Sequence, residues 1–388
     1  MGAINVKHTG SGADIALSSD GTSLLLDGTA IGGGGGDPDL YRDNASSATT
    51  PSATGTNAVA IGNNSVSSGT DSMAIGMSTV AASTRAVVLG GSSQAYGINS
   101  VTLGFAATVQ SGGTDSSALG TRSQIGSNAT GATAIAKSYA SGADSFAAAI
   151  TNNGSSYGAT GANGVAIGQL AKAGSAGQSV AIGGSCIASG TSSIAISGYF
   201  ASATGSGSLA IGQYAAASGI NSISIGYRSK ANTQGKIALS AGATSGIGSG
   251  AGHQQRGIYI LKGATTDATQ KVLTGLGNTA DASNSWVLEN NASHAFSGTV
   301  IARQDGTDGD DYAAWEVKGA VMRADTAATT VVGVAIVNSL YHTAGAAAWV
   351  VDITANTTLG SAEVKVTGAA ATNVDWVTTI DTSEVVNA

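Results

Sequence analysis

The chain has 388 residues, of which 58 are glycine and only two are proline, with 5% aromatic and 42% hydrophobic residues. Glycine this abundant with proline this scarce favours a β-repeat over a disordered linker, and the length allows two or three domains. The formal net charge is −7 and the few cations are spread thinly, which excludes the concentrated basic face that nucleic acid binding needs.

No stretch approaches eighteen uninterrupted apolar residues, and the opening MGAINVKHTG lacks the apolar segment of an export signal, so no membrane insertion is expected. Cys186 is the single cysteine and cannot form an intramolecular disulfide. It lies where the repeat described below places a small residue, so it reads as a buried structural thiol of a chain assembled in a reducing cytoplasm.

Residues 1–31 read as a small β module, with strand candidates at 3–7, 13–17 and 23–26 and turns at SSDG and DGTA. It is too short for a large core and is expected to dock against a partner or its own symmetry mates. Residues 32–56 form a glycine-rich linker and lead-in. The run of five glycines at 32–36 lacks a GK[ST] ending and a framing strand and helix, so it does not read as a phosphate loop.

From 57 to 241 one short phrase recurs, as AVAIG, SMAIG, SVTLG, SVAIG, SLAIG and SISIG. Its terminal aliphatics Ile61, Ile75, Leu89, Leu103, Ile167, Ile182, Ile196, Ile211, Ile225 and Leu239 keep a period near fourteen, with a few residues inserted at some turns. Such a period means a stacked repeat fold. Residues two apart on a strand share a face, so Met73 joins Ile75 while Ser72 joins Ala74, and coil on coil the larger residues make two aliphatic columns. Glycines close many phrases, as at Gly62 and Gly76, and a second glycine often follows seven residues later, as at Gly69; each coil reads as two short strands and two tight turns. The insertion NNGSSYGATGAN, within 151–163, reads as a loop extruded between coils.

Two aliphatics per coil are too few to offset the ordering of fourteen residues, and so small a coil cannot enclose its own columns. Several copies must therefore pack these faces around a common axis, and three is the smallest closed ring with a central core. The ten aliphatics above are the expected core of a homotrimeric shaft about 60 Å long.

Residues 242–256 read as a hinge and 257–388 as a C-terminal domain holding all four tryptophans and fourteen of the twenty-three acidic residues. Strand composition at 285–288, 295–303, 312–323, 329–337, 348–354, 362–367 and 374–380, between turns such as DGTDGDD and NTTLGS, predicts an antiparallel β-sandwich or jelly roll. Trp315, Trp349 and Trp376 sit in apolar strands and are expected in the core rather than on a sugar. The whole chain is thus all-β and elongated.

Glycoside hydrolysis needs paired carboxylates. Residues 51–250 hold only Asp71, Asp115 and Asp144, many coils apart, and no glutamate, so the shaft is not expected to hydrolyse sugars unless subunits combine residues. Asp305, Asp308, Asp310 and Asp311 crowd one turn without the EF-hand spacing, and the four histidines form no pair at metal spacing. No catalytic residue, metal or cofactor is expected. The candidate receptor contacts are the loops between C-terminal strands, at these four aspartates and at Tyr341 and His342.

The phrases at 57–62 (NAVAIG), 178–183 (QSVAIG) and 221–226 (NSISIG) resemble the left-handed parallel β-roll heads of trimeric adhesins. The wider arrangement resembles fibre proteins of tailed bacteriophages, marine and cyanobacterial ones in particular. The matching stretches are 4–28, 145–168, QQRGIYIL, AFSGTVIARQ, AAWEVKG and TNVDWVTTIDTSEV. This resemblance implies a structural virion fibre: 1–31 anchored to a phage tail, neck or capsid protein, 57–241 a left-handed β-roll shaft, and 257–388 a knob. The knob would bind a host surface receptor, either polysaccharide or outer-membrane protein. A capsid or neck decoration fibre is one alternative, and a polysaccharide depolymerase tailspike with an intersubunit site is another. A cellular adhesin would need an export signal, a heptad stalk and a membrane anchor.

Overall fold

The computed structural model describes residues 49–148, 156–174, 177–242, 252–306 and 309–387, together with the backbone of four strands near the start of the chain. Those four, Ile4–Val6, Ile15–Ser19, Leu24–Leu26 and Thr29–Ala30, pair antiparallel in sequence order. The glycine run at 32–36 and most of the expected hinge lie outside the described residues.

The repeats form a parallel β-solenoid. Thirteen two-residue strands, from Ser52–Ala53 to Lys230–Ala231, stack into one sheet, and three-residue or slightly longer strands, from Val59–Ile61 to Ile237–Ser240, stack into the other. Register holds phrase against phrase: Val59 pairs with Met73, Ala60 with Ala74 and Ile61 with Ile75, and the same alignment reaches Ile225 against Leu239. The structure thus has the two strands and two turns per coil that the phrases predict. It shortens the expected insertion, because Gly158–Ala159 is itself a rung strand, pairing with Ala140 on one side and Lys172–Ala173 on the other.

Alternation on the longer strands puts the middle residue inside. Ala74, Val88, Ala118, Ala166, Ala195 and Ala210 have no accessible surface, and neither do Ala81, Ala95 and Ala217 of the facing sheet. Serines complete the interior. Ser72, Ser100, Ser145 and Ser193 each donate to the carbonyl of the glycine three residues earlier, at 2.6–2.7 Å, so these four buried hydroxyls are satisfied and their turns are closed, whereas the hydroxyls of Ser208 and Ser222 in the same column have no partner. Cys186 replaces one such residue and is fully buried, as expected.

The turns set the sequence grammar. The residue two before each longer strand has left-handed backbone in all thirteen rungs, among them Asn57, Asp71, Asn99, Asp115, Asp144 and Asn221, with φ between 53° and 58°. Asn and Asp tolerate that conformation best after glycine. The glycines of the other kind of turn serve close approach: a Cβ on Gly205 would overlap the carbonyl oxygen of Gly219 in the next rung.

After the solenoid the same sheet turns antiparallel. Gln254–Thr265 pairs with the last rung, Ile237 opposite Ile258 and Leu239 opposite Arg256. Beyond it lie Val374–Val386, Ala292–Gln304, Tyr312–Arg323 and Val331–His342, in that order. A hairpin of Val350–Asn356 and Ser361–Thr367, with the short strands Lys271–Val272 and Trp286–Val287 on its far edge, forms a second sheet. One buried cluster joins the two sheets and contains all four tryptophans.

Two expectations are corrected. The hinge expected over 242–256 ends in regular structure, since Gln254–Arg256 open a twelve-residue strand that hydrogen-bonds the solenoid. The second domain is not a jelly roll: three consecutive strands form a meander, and the last strand of the chain inserts between it and the first.

Gly205→Ala should cost more than about 2 kcal/mol in urea unfolding, because the rungs cannot move apart without breaking ladder bonds. Gly198→Ala, where nothing lies within 4 Å of the added methyl, should stay within about 0.5 kcal/mol.

Candidate functional site

The ten aliphatics expected in the shaft core all point away from the coil interior. Leu103, Ile196 and Ile225 are exposed, at 47%, 37% and 39%, and the other seven are half-buried by their neighbours above and below. Small interior residues leave no room for them inside. The opposite sheet is different outside, where Gln94, Thr108, Gln124, Lys172 and Lys230 stand among apolar positions. The solenoid therefore has one apolar broad face and one mixed, water-compatible face.

Asp71, Asp115 and Asp144 prove to share one exposed corner column, three and two rungs apart rather than many. Stacking at about 4.8 Å separates neighbouring members of the column by roughly 14 Å and 10 Å. Their side chains serve the turn ladder: Asn57 Nδ2 donates to Asp71 Oδ1 at 2.9 Å, and Asn99 Nδ2 to Asp115 Oδ1 at 2.6 Å.

A second corner carries a feature that the sequence analysis missed. Tyr199, Phe200, Tyr214 and Tyr227 cluster on three successive rungs, with Phe200 and Tyr214 stacked at 5.5 Å and Arg228 over Tyr214 and Tyr227. Aromatics recurring fourteen residues apart in an aromatic-poor chain were the available signal. The rings contact one another and Arg228, while Tyr199, Phe200 and Tyr214 remain exposed on their outer sides.

At the end of the solenoid a buried polar network ties the two halves together. Lys236, in the column that holds Ser72 and Ser222 in other rungs, is 4% exposed, and its Nζ lies 2.8 Å from Glu384 Oε2. Gln255 Nε2 donates to the same oxygen at 2.6 Å, and the Tyr259 hydroxyl donates to Oε1 at 3.0 Å. The Gln255 side chain also accepts from Lys230 N and donates to Lys230 O, so it mimics the next strand of the two-residue sheet.

Burial alone would raise the Glu384 carboxyl, but Lys236 and the surrounding donors outweigh it and bring it down to about 2. Burial, followed by the Glu384 charge, pushes the Tyr259 phenol well above its usual range. His294, 4.0 Å from Glu384, is lowered by burial to about 4 despite that carboxylate. Trp286 Nε1 donates to His294 Nδ1 at 3.2 Å; the indole can only donate, so that nitrogen carries no proton. With His294 neutral near pH 7, Lys236 is the charge that keeps Glu384 ionised.

The expected contact loops meet at the far end of the long sheet. Asp305, Asp310 and Asp311 lie in the hairpin turn after Gln304, and Asp308 is outside the described residues. Asp310 faces Arg303 at 3.6 Å. Tyr312 stacks on Tyr341 at 5.2 Å and its carbonyl accepts from Thr343 N, which brings Tyr341 and His342 beside the acidic turn. Next to them is an open cavity of about 570 Å³ lined by Lys262, Lys271, Arg303, Asp375, Ile301 and Val377. Trp315, Trp349 and Trp376 are at most 6% exposed, which removes them as sugar platforms. No helix among the described residues is long and apolar enough to cross a membrane.

A family model described as the YadA head domain repeat matches residues 53–79, 159–185, 188–215 and 217–235. No curated protein matches the chain. Among solved structures, the tailspike protein of Acinetobacter baumannii phage AM24 aligns at 11% identity with a TM-score of 0.19, over 87% of this chain. This chain spans 60% of that tailspike's length.

The junction network makes stability pH-dependent. Unfolded His294 takes its proton near 6.5 but the folded residue only near 4, so stability is greatest above pH 6.5 and falls across that window. Glu384 continues the loss from 4.5 down to about 2. Between pH 7 and pH 4.5 the native chain should lose about 2 kcal/mol more than His294→Gln in urea unfolding, since glutamine keeps the acceptor for Trp286 without titrating.

Proposed function

We propose that this chain is a homotrimeric adhesive fibre whose solenoid is a shaft and whose C-terminal sheets contact a surface. The observation that carries the reading is the aliphatic face in register over thirteen rungs, with the small residues inside and the larger ones outside. A monomer would leave that stripe in water along its whole length, far beyond the scattered apolar exposure of ordinary monomers. Three copies turned face to face bury it, and the matched head repeats are of the adhesin type.

In the finer form of this reading the chain is a phage fibre, on the sequence stretches that resemble such proteins. The N-terminal sheet attaches to the particle. The end bearing Asp310, Asp311, Tyr341 and His342 binds a host envelope component, either polysaccharide or outer-membrane protein. Binding is multivalent, three weak sites per fibre acting together. The reading is of a binder rather than an enzyme: Asp71, Asp115 and Asp144 are exposed turn residues, and Glu384 is held ionised beside Lys236 under the sheet.

The native chain should sediment at three times its 37.3 kDa mass, and Ile211→Asp with Ile225→Asp should reduce this to the single chain, because each buried carboxylate costs several kcal/mol. Lys172→Asp, on the mixed face, should leave the mass unchanged. The trimer should bind immobilised bacterial envelopes at least about tenfold more tightly than the doubly substituted monomer. A native chain that sediments as a monomer would refute the assembly, and equal binding by the two forms would refute the multivalent mechanism.

A further inference from the structure

Among the described residues, the long C-terminal sheet ends on a strand whose outer edge has no partner. Val331–His342 pairs with Tyr312–Arg323 on one side only, so the backbone groups of its other edge face outward along twelve residues. Ten of its twelve residues are exposed, including Val331, Val334, Ile336, Leu340 and Tyr341 at 41–59%; only Val332 and Val337 reach the core. The strand VVGVAIVNSLYH has no Asp, Glu, Lys or Arg. Of the usual protections of a free edge only bulges are present, at Gly333 and Leu340: the strand is long, it lacks lysine and proline, and no described helix or loop covers it.

We propose that Val331–His342 is an intersubunit strand, its free edge and outer face covered by a second copy of this chain. The inference rests on the trimeric reading and adds to it a contact surface outside the head repeats. Continuity along the sheet argues for a copy rather than a foreign partner. The outer side of the sheet continues from the last rung across every strand: Ile237 leads through Ile258, Asp381, Ser297 and Lys318 to Ile336, and farther along the strands Lys262, Val377, Ile301 and Ala314 lead to Tyr341. Those residues lie on the side of the sheet away from the buried cluster, which is also the side of the solenoid's aliphatic columns. Copies that close over the columns are thereby brought to the edge strand. A partner of opposite charge has nothing to recognise on it, whereas a neutral, apolar surface of the same chain does. Symmetric closure also removes the edge from solution, which a monomer cannot do.

Hydrogen exchange of the full chain, with sedimentation on the same sample, tests this. The expected result is a trimer in which a peptide spanning 331–342 takes up almost no deuterium in the first minute. A free edge would exchange about half of its amides in that time. In the Val334→Lys, Leu340→Lys variant, lysine opposes edge pairing, so uptake should rise to about half while the head repeats keep the chain trimeric. A native trimer with half of the peptide exchanging fast overturns the inference and leaves the trimeric reading standing. A native monomer overturns both.

Discussion

What this structure depends on is the space inside a rung. Two strands of two or three residues, closed by tight turns, leave an interior filled mostly by methyl and hydroxymethyl groups, as at Ala74, Ala166, Ala210, Ser72 and Ser193, with Val88, Val109 and Ile125 the larger residues it takes. Alternation along each longer strand then sends the larger aliphatics outward, Val88 excepted. Because the register is parallel and in step, the outward residues pile into columns instead of scattering. The same tightness fixes the glycines, as at Gly205, where the next rung's carbonyl occupies the place of a side chain. Hydrogen bonds and turn geometry hold the coil, and apolar burial on the outside is left for other copies to supply.

A solenoid must also end without exposing its sheet edges. At the C-terminal end the two sheets end differently. The aliphatic one continues into the long antiparallel sheet through Ile237 and Ile258, while the two-residue one is closed by the Gln255 side chain on Lys230. Lys236 and Glu384 sit where these endings meet. A buried pair is a weak source of net stability, since desolvation offsets much of the attraction, but it punishes any slip that separates the partners. We therefore read it as fixing the register of the last strand, Val374–Val386, against Gln254–Thr265 and the final rung.

The repeat made the solenoid readable in advance. The period near fourteen, the aliphatics two apart and the closing glycines are local patterns that map directly onto rungs, and the burial of Trp315, Trp349 and Trp376 follows from the apolar strands around them. What was not legible is non-local. Nothing near Val374 tells that its strand inserts between Gln254–Thr265 and Ala292–Gln304. That strand reads as ending at Ile380, because Asp381 and Glu384 look like solvent residues until Lys236 is found beside Glu384. Lys236 itself was visible as a lysine in a column of serines. The contact loops were placed by elimination, and only the fold brings Tyr341 to Tyr312 and the acidic turn.

The central claim is that the rungs hold their shape because copies of the chain cover each other's aliphatic face. Its most direct test is thermal melting of the native chain, followed by far-ultraviolet circular dichroism over a thousandfold range of concentration. If three chains unfold together, the midpoint rises steadily with concentration and the β signal is lost in one step from a species of trimer mass. A midpoint that does not move with dilution, for a species of single-chain mass with the full β signal, would contradict the account.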